Sequence, residues 1–128
     1  MAGHVWREMV GHCAAEQPYE ACGLLSGRCG RAETIWKMEN ADRSPFSFSM
    51  REEQIRKVFG QMEQRGERLV AIYHSHPAAP AYPSPHDIEH ACYPEAAYLV
   101  LSLAGQQPVL GCFHIHGRQV TPLRCILY

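Results

Sequence analysis

No run of about 18 consecutive apolar residues occurs in the 128-residue chain, so the sequence offers no membrane-spanning helix. The first eleven residues carry His4, Arg7 and Glu8 where a secretory signal would need an unbroken apolar stretch. A cytoplasmic protein is therefore expected. Lys plus Arg is 12 and Asp plus Glu is 13, a net charge of -1, so the basic excess of a nucleic-acid binder is missing. No two cysteines stand at CxxC spacing, which argues against a zinc ribbon or a thioredoxin-type dithiol. HExxH is absent, which excludes the helix-based zinc proteases. Charged residues are 20% and hydrophobic residues 46%, ordinary for a globular domain and wrong for a disordered tail, a collagen-like rod or a coiled coil. At this length one core can form without disulfide staples, so residues 1–128 are read as a single domain.

What the chain does have is 8 histidines and 6 cysteines. The cysteines, Cys13, Cys22, Cys29, Cys92, Cys112 and Cys125, are expected to be mostly small core residues. The histidines cluster: His74 with His76, His86 with His90, His114 with His116.

Periodicity places the elements. Val5, Met9 and Cys13 make one face of a helix over 4–16, stopped at Pro18. Residues 21–25 read as a buried strand, 28–31 as a turn, and 32–38 as a second strand. Phe46 and Phe48 alternate with Ser47 and Ser49, which suggests a third short strand. An amphipathic helix follows over 51–65. Residues 69–73 form a central strand, apolar on both faces, that runs straight into His74-Ser75-His76-Pro77. The prolines of 78–85 forbid regular structure, and Tyr82 among them is a candidate lip over a cleft. Ser84-Pro85-His86-Asp87 reads as a helix start. Strands are expected over 97–103, 109–115 and 120–127. The order α-β-β-β-α-β-α-β-β-β implies one α/β domain with a mixed sheet flanked by helices.

His74 and His76, two residues apart on an extended chain, point to the same face and can reach one ion. Asp87 could add a carboxylate oxygen. Such a set leaves a fourth tetrahedral position open, as catalytic zinc sites do. Imidazole and carboxylate suit Zn²⁺, and they also suit iron, cobalt or nickel. Taken singly, each piece has a plainer explanation: the histidine pair as a polar strand end, the Ser-Pro-His-Asp segment as a helix cap.

The spacing changes the balance. His74-x-His76-Pro77, six residues, Ser84, two residues and Asp87 resembles the JAMM (MPN-plus) metalloprotease motif at every defining position. The segment Pro18 to Gly27 resembles the family's glutamate segment, with the acid at Glu20, and Leu110 to Ile115 is similar to its penultimate core strand. The resemblance covers nearly the whole chain. It implies a cytidine-deaminase-like α/β sandwich, in fold only: the H-x-E and P-C-x-x-C signatures of deaminases are absent.

The resemblance further implies one Zn²⁺ per chain on His74, His76 and Asp87. Glu20 would be general base and then acid, and Ser84 an oxyanion donor, whose loss typically costs around 10²–10³ in turnover. The implied reaction is hydrolysis of the peptide or isopeptide bond after the C-terminal Gly-Gly of a ubiquitin-like protein. Only nine residues separate Asp87 from Ala97, too few for the long insertion of members specific for polyubiquitin chains. The minimal prokaryotic form that this resembles acts on a ubiquitin-like sulfur-carrier protein in sulfur or cysteine metabolism. Two alternatives stand beside it: a desampylase-type isopeptidase acting on lysine conjugates, and a non-catalytic MPN-minus scaffold that binds partners and holds no metal. His114 and His116 are expected to be non-ligands, and His86 is a candidate neighbour of the site.

Overall fold

A computed structural model describes residues 1–128. Its elements are α1 (Gly3–Ala15), β1 (Cys22–Gly27), β2 (Thr34–Met38), α2 (Glu52–Gln64), β3 (Arg68–His76), α3 (Pro85–His90), β4 (Ala97–Ser102), β5 (Val109–His116) and β6 (Gln119–Pro122). The strands form one sheet in the order β2-β1-β3-β4-β5-β6. Only β3 and β4 run parallel, with Ala71 opposite Ala97 and His76 opposite Ser102. All other pairs are antiparallel. The α/β class and the flanked mixed sheet are as the sequence implies. No helix is long and apolar enough to cross a membrane.

Alternation along β3 decides which side chain meets which layer. Ala71 and Tyr73 face α1, where they pack with Val5, Met9, Cys13, Leu25, Leu99 and Leu101. Ile72 faces the other way, toward Val58 and Met62 of α2, beside Leu24, Tyr98 and Val100. His74 and His76 continue the Ile72 face. Because β3 and β4 are parallel, the chain between them must cross over, and it does so through α3. The crossover carries the N-terminus of α3 to the C-terminal end of β3, the usual ligand-binding end of parallel strands.

The sequence reading is corrected at three places. The strand expected over 46–49 does not form, so nine elements replace ten. Side chains satisfy that backbone instead of a ladder: Asn40 receives the Ser49 amide and donates to the Ser47 carbonyl. The final strand stops at Pro122, short of the residue 127 expected. Beyond it Leu123 still donates to the Cys112 carbonyl at 2.8 Å, and Tyr128 to that of Met1 at 3.0 Å. Finally, only Cys13, Cys22 and Cys112 are buried, while Cys29, Cys92 and Cys125 lie in turns or in the tail and are exposed.

Candidate metal centre

β3 is apolar from Leu69 through Tyr73 and then holds three buried polar residues in a row, His74, Ser75 and His76. Polar groups taken out of water need partners. Ser75, pointing to the α1 side, accepts the Ala21 amide on Oγ at 2.8 Å and donates its own amide to the Ala21 carbonyl at 3.0 Å. That bridge ties the residue after Glu20 to the residue between the two histidines. Sequence reasoning missed it, although a serine inside an otherwise apolar strand signals such a bond.

On the opposite face three atoms converge. His74 Nε2 lies 2.9 Å from Asp87 Oδ2, His76 Nε2 lies 3.1 Å from the same oxygen, and the two Nε2 atoms are 3.1 Å apart. Asp87 reaches this point because Ser84 caps α3. The Ser84 Oγ accepts the Asp87 amide at 3.1 Å, and Asp87 Oδ2 accepts the Ser84 amide at 2.9 Å, a reciprocal capping box. Cap and candidate ligand are thus the same carboxylate. The Ser84 hydroxyl accepts one bond here and keeps its own hydrogen to donate elsewhere.

The chemistry of this donor set fits a cation. His76 Nδ1 sits 2.8 Å from the Pro80 carbonyl, which can only accept, so the ring proton is on Nδ1 and Nε2 offers a lone pair. Nε2 therefore faces a carboxylate oxygen and a second imidazole nitrogen. A proton at any one of the three atoms serves a single pair, whereas a cation between them serves all three. His74, His76 and Asp87 are all buried and form a group that could hold a metal ion. The Pro80 carbonyl plays the part that outer hydrogen bonds commonly play for metal-bound imidazoles. His74 Nδ1 is buried with no protein partner, and its ring is held by stacking on Phe48, with centroids 4.6 Å apart. Phe48 comes from the segment read as a strand, and nothing in its alternation pointed to this contact.

Charge shifts follow the geometry. Burial pushes the Asp87 carboxyl up, but the two imidazoles and the Ser84 amide outweigh it and hold it well below the usual carboxylate range. Burial lowers His74, against the pull of Asp87. For His76 the same burial is outweighed by Asp87 and the Pro80 carbonyl, and the ring is raised.

Glu20 lies two residues ahead of β1 and is 3% exposed, with Oε1 buried and unpaired. Burial pushes its carboxyl up to about 8; His76 opposes this, and Asp87 and Asp42 add to it. Its ordinary value is 4.5, so in metal-free protein the folded state keeps a proton that the unfolded chain releases between about pH 4.5 and about 8. Metal-free protein therefore loses stability as pH rises through that window. Glu20→Gln is expected to match the wild type at pH 4.5 and to exceed it at pH 8 by at least about 1 kcal/mol in urea unfolding. An equal difference at both pH values would contradict the buried placement.

Of the other candidates, His114 bonds the Pro94 carbonyl and His116 is exposed, both outside the cluster. His86 stacks on His90 with centroids 4.1 Å apart and makes no hydrogen bond to a candidate ligand atom. Tyr82 packs edge-on against Phe113 at 5.2 Å. The proline-rich segment around it is pinned to the sheet: Ser102 Oγ donates to the Ala79 carbonyl at 2.6 Å, and the Ala81 carbonyl lies so close to Gly111 that a Cβ there would collide with it. An apolar cleft of about 420 Å³ opens beside His74 and Asp87, walled by Phe48, Met50, Ile55, Phe59 and Tyr93. A larger opening of about 670 Å³ lies at the far end of β3 and β4 and touches none of the three.

Comparison with known proteins gives the following. Residues 3–116 match a family described as prokaryotic homologs of the JAB domain. The chain is 43% identical over 96 residues to a Mycobacterium tuberculosis protein named CysO-cysteine peptidase, a match spanning 73% of this chain and 66% of that protein. It is 34% identical over 104 residues to a Thermus thermophilus protein named probable TtuB-protein conjugate cleaving protease, spanning 80% of this chain and 69% of the other. The chain thus spans about two-thirds of the length of these curated relatives. The solution structure of a Desulfitobacterium hafniense protein superposes with a TM-score of 0.89 at 36% identity, covering 100% of this chain and 93% of that one.

Proposed function

Because this chain belongs to the family of prokaryotic JAB-domain homologs, we propose that it is a zinc-dependent peptidase, one domain over residues 1–128, acting in the cytoplasm. Its substrate would be the bond after the C-terminal Gly-Gly of a ubiquitin-like sulfur-carrier protein. The observation that carries the reading is the convergence of His74 Nε2, His76 Nε2 and Asp87 Oδ2 within 3.1 Å of one another at the end of β3. Two imidazoles and a carboxylate make a catalytic type of zinc set, with one coordination position left for chemistry. The scaffold alternative has no need of such a set.

What a bound zinc supplies is Lewis acidity, which polarises the scissile carbonyl and makes water a nucleophile near neutral pH. The rest belongs to the chain. Glu20 takes the proton of the attacking water and later hands it to the leaving amine. Its burial and raised carboxyl support that role, since a base poised near neutral pH both accepts and returns a proton readily. Ser84 donates its free hydroxyl hydrogen to the oxyanion of the tetrahedral intermediate while its oxygen stays committed to the cap. Glycines at the end of the tail let the substrate backbone approach the buried ligands closely.

The relatives split the substrate question. One is named a CysO-cysteine peptidase and the other a probable TtuB-protein conjugate cleaving protease. We take the linear carrier extension as the substrate and the lysine conjugate as the second reading, favoured by the Thermus relative. The test offers one sulfur carrier as a linear C-terminal fusion and as a lysine conjugate. The linear form is expected to turn over at least about tenfold faster in kcat/KM, a difference of about 1.4 kcal/mol in the barrier. A faster conjugate would shift the assignment to the isopeptidase. Cleavage of neither, with zinc bound, would remove the proposed substrate class.

A further inference from the structure

Glu20 is not held by the sheet. Its amide donates to the Ser44 carbonyl at 2.9 Å, and its carbonyl accepts from Asn40 Nδ2 at 3.0 Å. Both partners belong to the segment between β2 and α2. That segment has no ladder of its own, so its shape must come from side chains. Asn40 supplies it. The same Nδ2 donates to the Ser47 carbonyl at 3.0 Å, while Oδ1 accepts the amides of Asp42 at 3.0 Å and Ser49 at 3.2 Å. Asp42 adds a second tie, its carboxylate receiving the hydroxyls of Ser47 and Ser49 at 2.9 and 2.8 Å. An amide carries two donor hydrogens and two acceptor lone pairs, and all four of Asn40's are used. The loop it closes supplies the Ser44 carbonyl that holds Glu20 and the Phe48 ring that stacks on His74.

We infer that Asn40 is a positioning residue for the general base: it fixes the Glu20 backbone from one side while Ser75 fixes Ala21 from the other. This rests on the hydrolysis proposed above. Asn40 donates to the Glu20 carbonyl and not to its carboxylate, so it acts on the reaction only through Glu20 and the loop. A base displaced by about 1 Å can cost on the order of 10²-fold in rate.

The test uses the full zinc-loaded chain with Asn40→Asp and Asn40→Ala, each alone and combined with Glu20→Gln. Asn40→Asp keeps the acceptor bonds to the Asp42 and Ser49 amides and removes the donors to the Glu20 and Ser47 carbonyls, so it disturbs the loop less than Asn40→Ala while still releasing Glu20. Each single variant is expected to keep one zinc per chain, to lower kcat on the linear fusion about 10–100-fold and to leave KM within about twofold. In the Glu20→Gln background neither is expected to lower the residual rate further, because the group it positions is already gone. A further multiplicative fall there, a change confined to KM, or native kcat in Asn40→Asp would overturn the inference. Amide exchange on zinc-loaded protein decides the placement without any substrate. In Asn40→Ala the Glu20 amide should exchange at least about tenfold faster, while the Ala21 amide, held by Ser75, stays within about twofold. Unchanged Glu20 protection refutes the positioning role whatever the enzyme does. An inactive wild type with the expected exchange pattern would instead fault the functional reading alone.

Discussion

Glutamine in place of Glu20 is expected to leave one zinc per chain bound and to lower kcat by about 10²–10⁴-fold, the usual worth of a positioned general acid–base group. The substitution is nearly isosteric, so the walls of the site and the bonds at Ser44, Asn40 and Ser75 should persist. What disappears is the ability to take and return a proton. The side chain is buried with an oxygen that no protein group satisfies, an expensive arrangement for a carboxyl whose only duty is structural. Zinc content and single-turnover rates on one preparation separate the outcomes. Native turnover would mean that the base is another group. Zinc lost in step with activity would make Glu20 part of the metal's hold.

Asp87→Asn and His76→Ala are expected to remove the metal and, with it, all hydrolysis. Asp87→Asn is the sharper variant because the asparagine oxygen can still accept the Ser84 amide, so the cap of α3 survives while the charge between the imidazoles is lost. Zinc affinity should fall more than about 100-fold, beyond the 10–100-fold typical of residues that merely orient a ligand. Competition with a chelator of known affinity measures it. A helix that stays folded with stoichiometric zinc in Asp87→Asn would show that the carboxylate does no more than cap α3.

The sequence made much of this legible, and for physical reasons. His74 and His76 could be placed on one face because strand periodicity is 2, and Ser84 with Asp87 because capping is a local rule that four residues express by themselves. Glu20 entered only through the resemblance of its segment; nothing local to Pro18-Tyr19-Glu20 reveals that β1 runs beside β3. The failures fall where long-range partners decide. Phe46 to Ser49 alternates like a strand, yet its backbone is claimed by Asn40 and Asp42 several residues away. Phe48 stacks on a histidine 26 positions downstream, and the Pro80 carbonyl meets His76 Nδ1 across a proline-rich turn. The tail beyond Pro122 reads as strand by composition, yet after the Leu123 bond to the Cys112 carbonyl it leaves β5, and Tyr128 bonds Met1 instead. Exposed cysteines in turns and tail show that composition alone does not sort thiols into the core.

X-ray absorption at the zinc edge of the zinc-loaded 128-residue chain bears most directly on where the ion sits. Two imidazole nitrogens and one carboxylate oxygen at roughly 2.0–2.2 Å, one further light-atom neighbour and no sulfur are expected. Sulfur scattering at about 2.3 Å, drawn from any of the six cysteines, or a single imidazole, would contradict a metal centre built by the end of β3 and the start of α3.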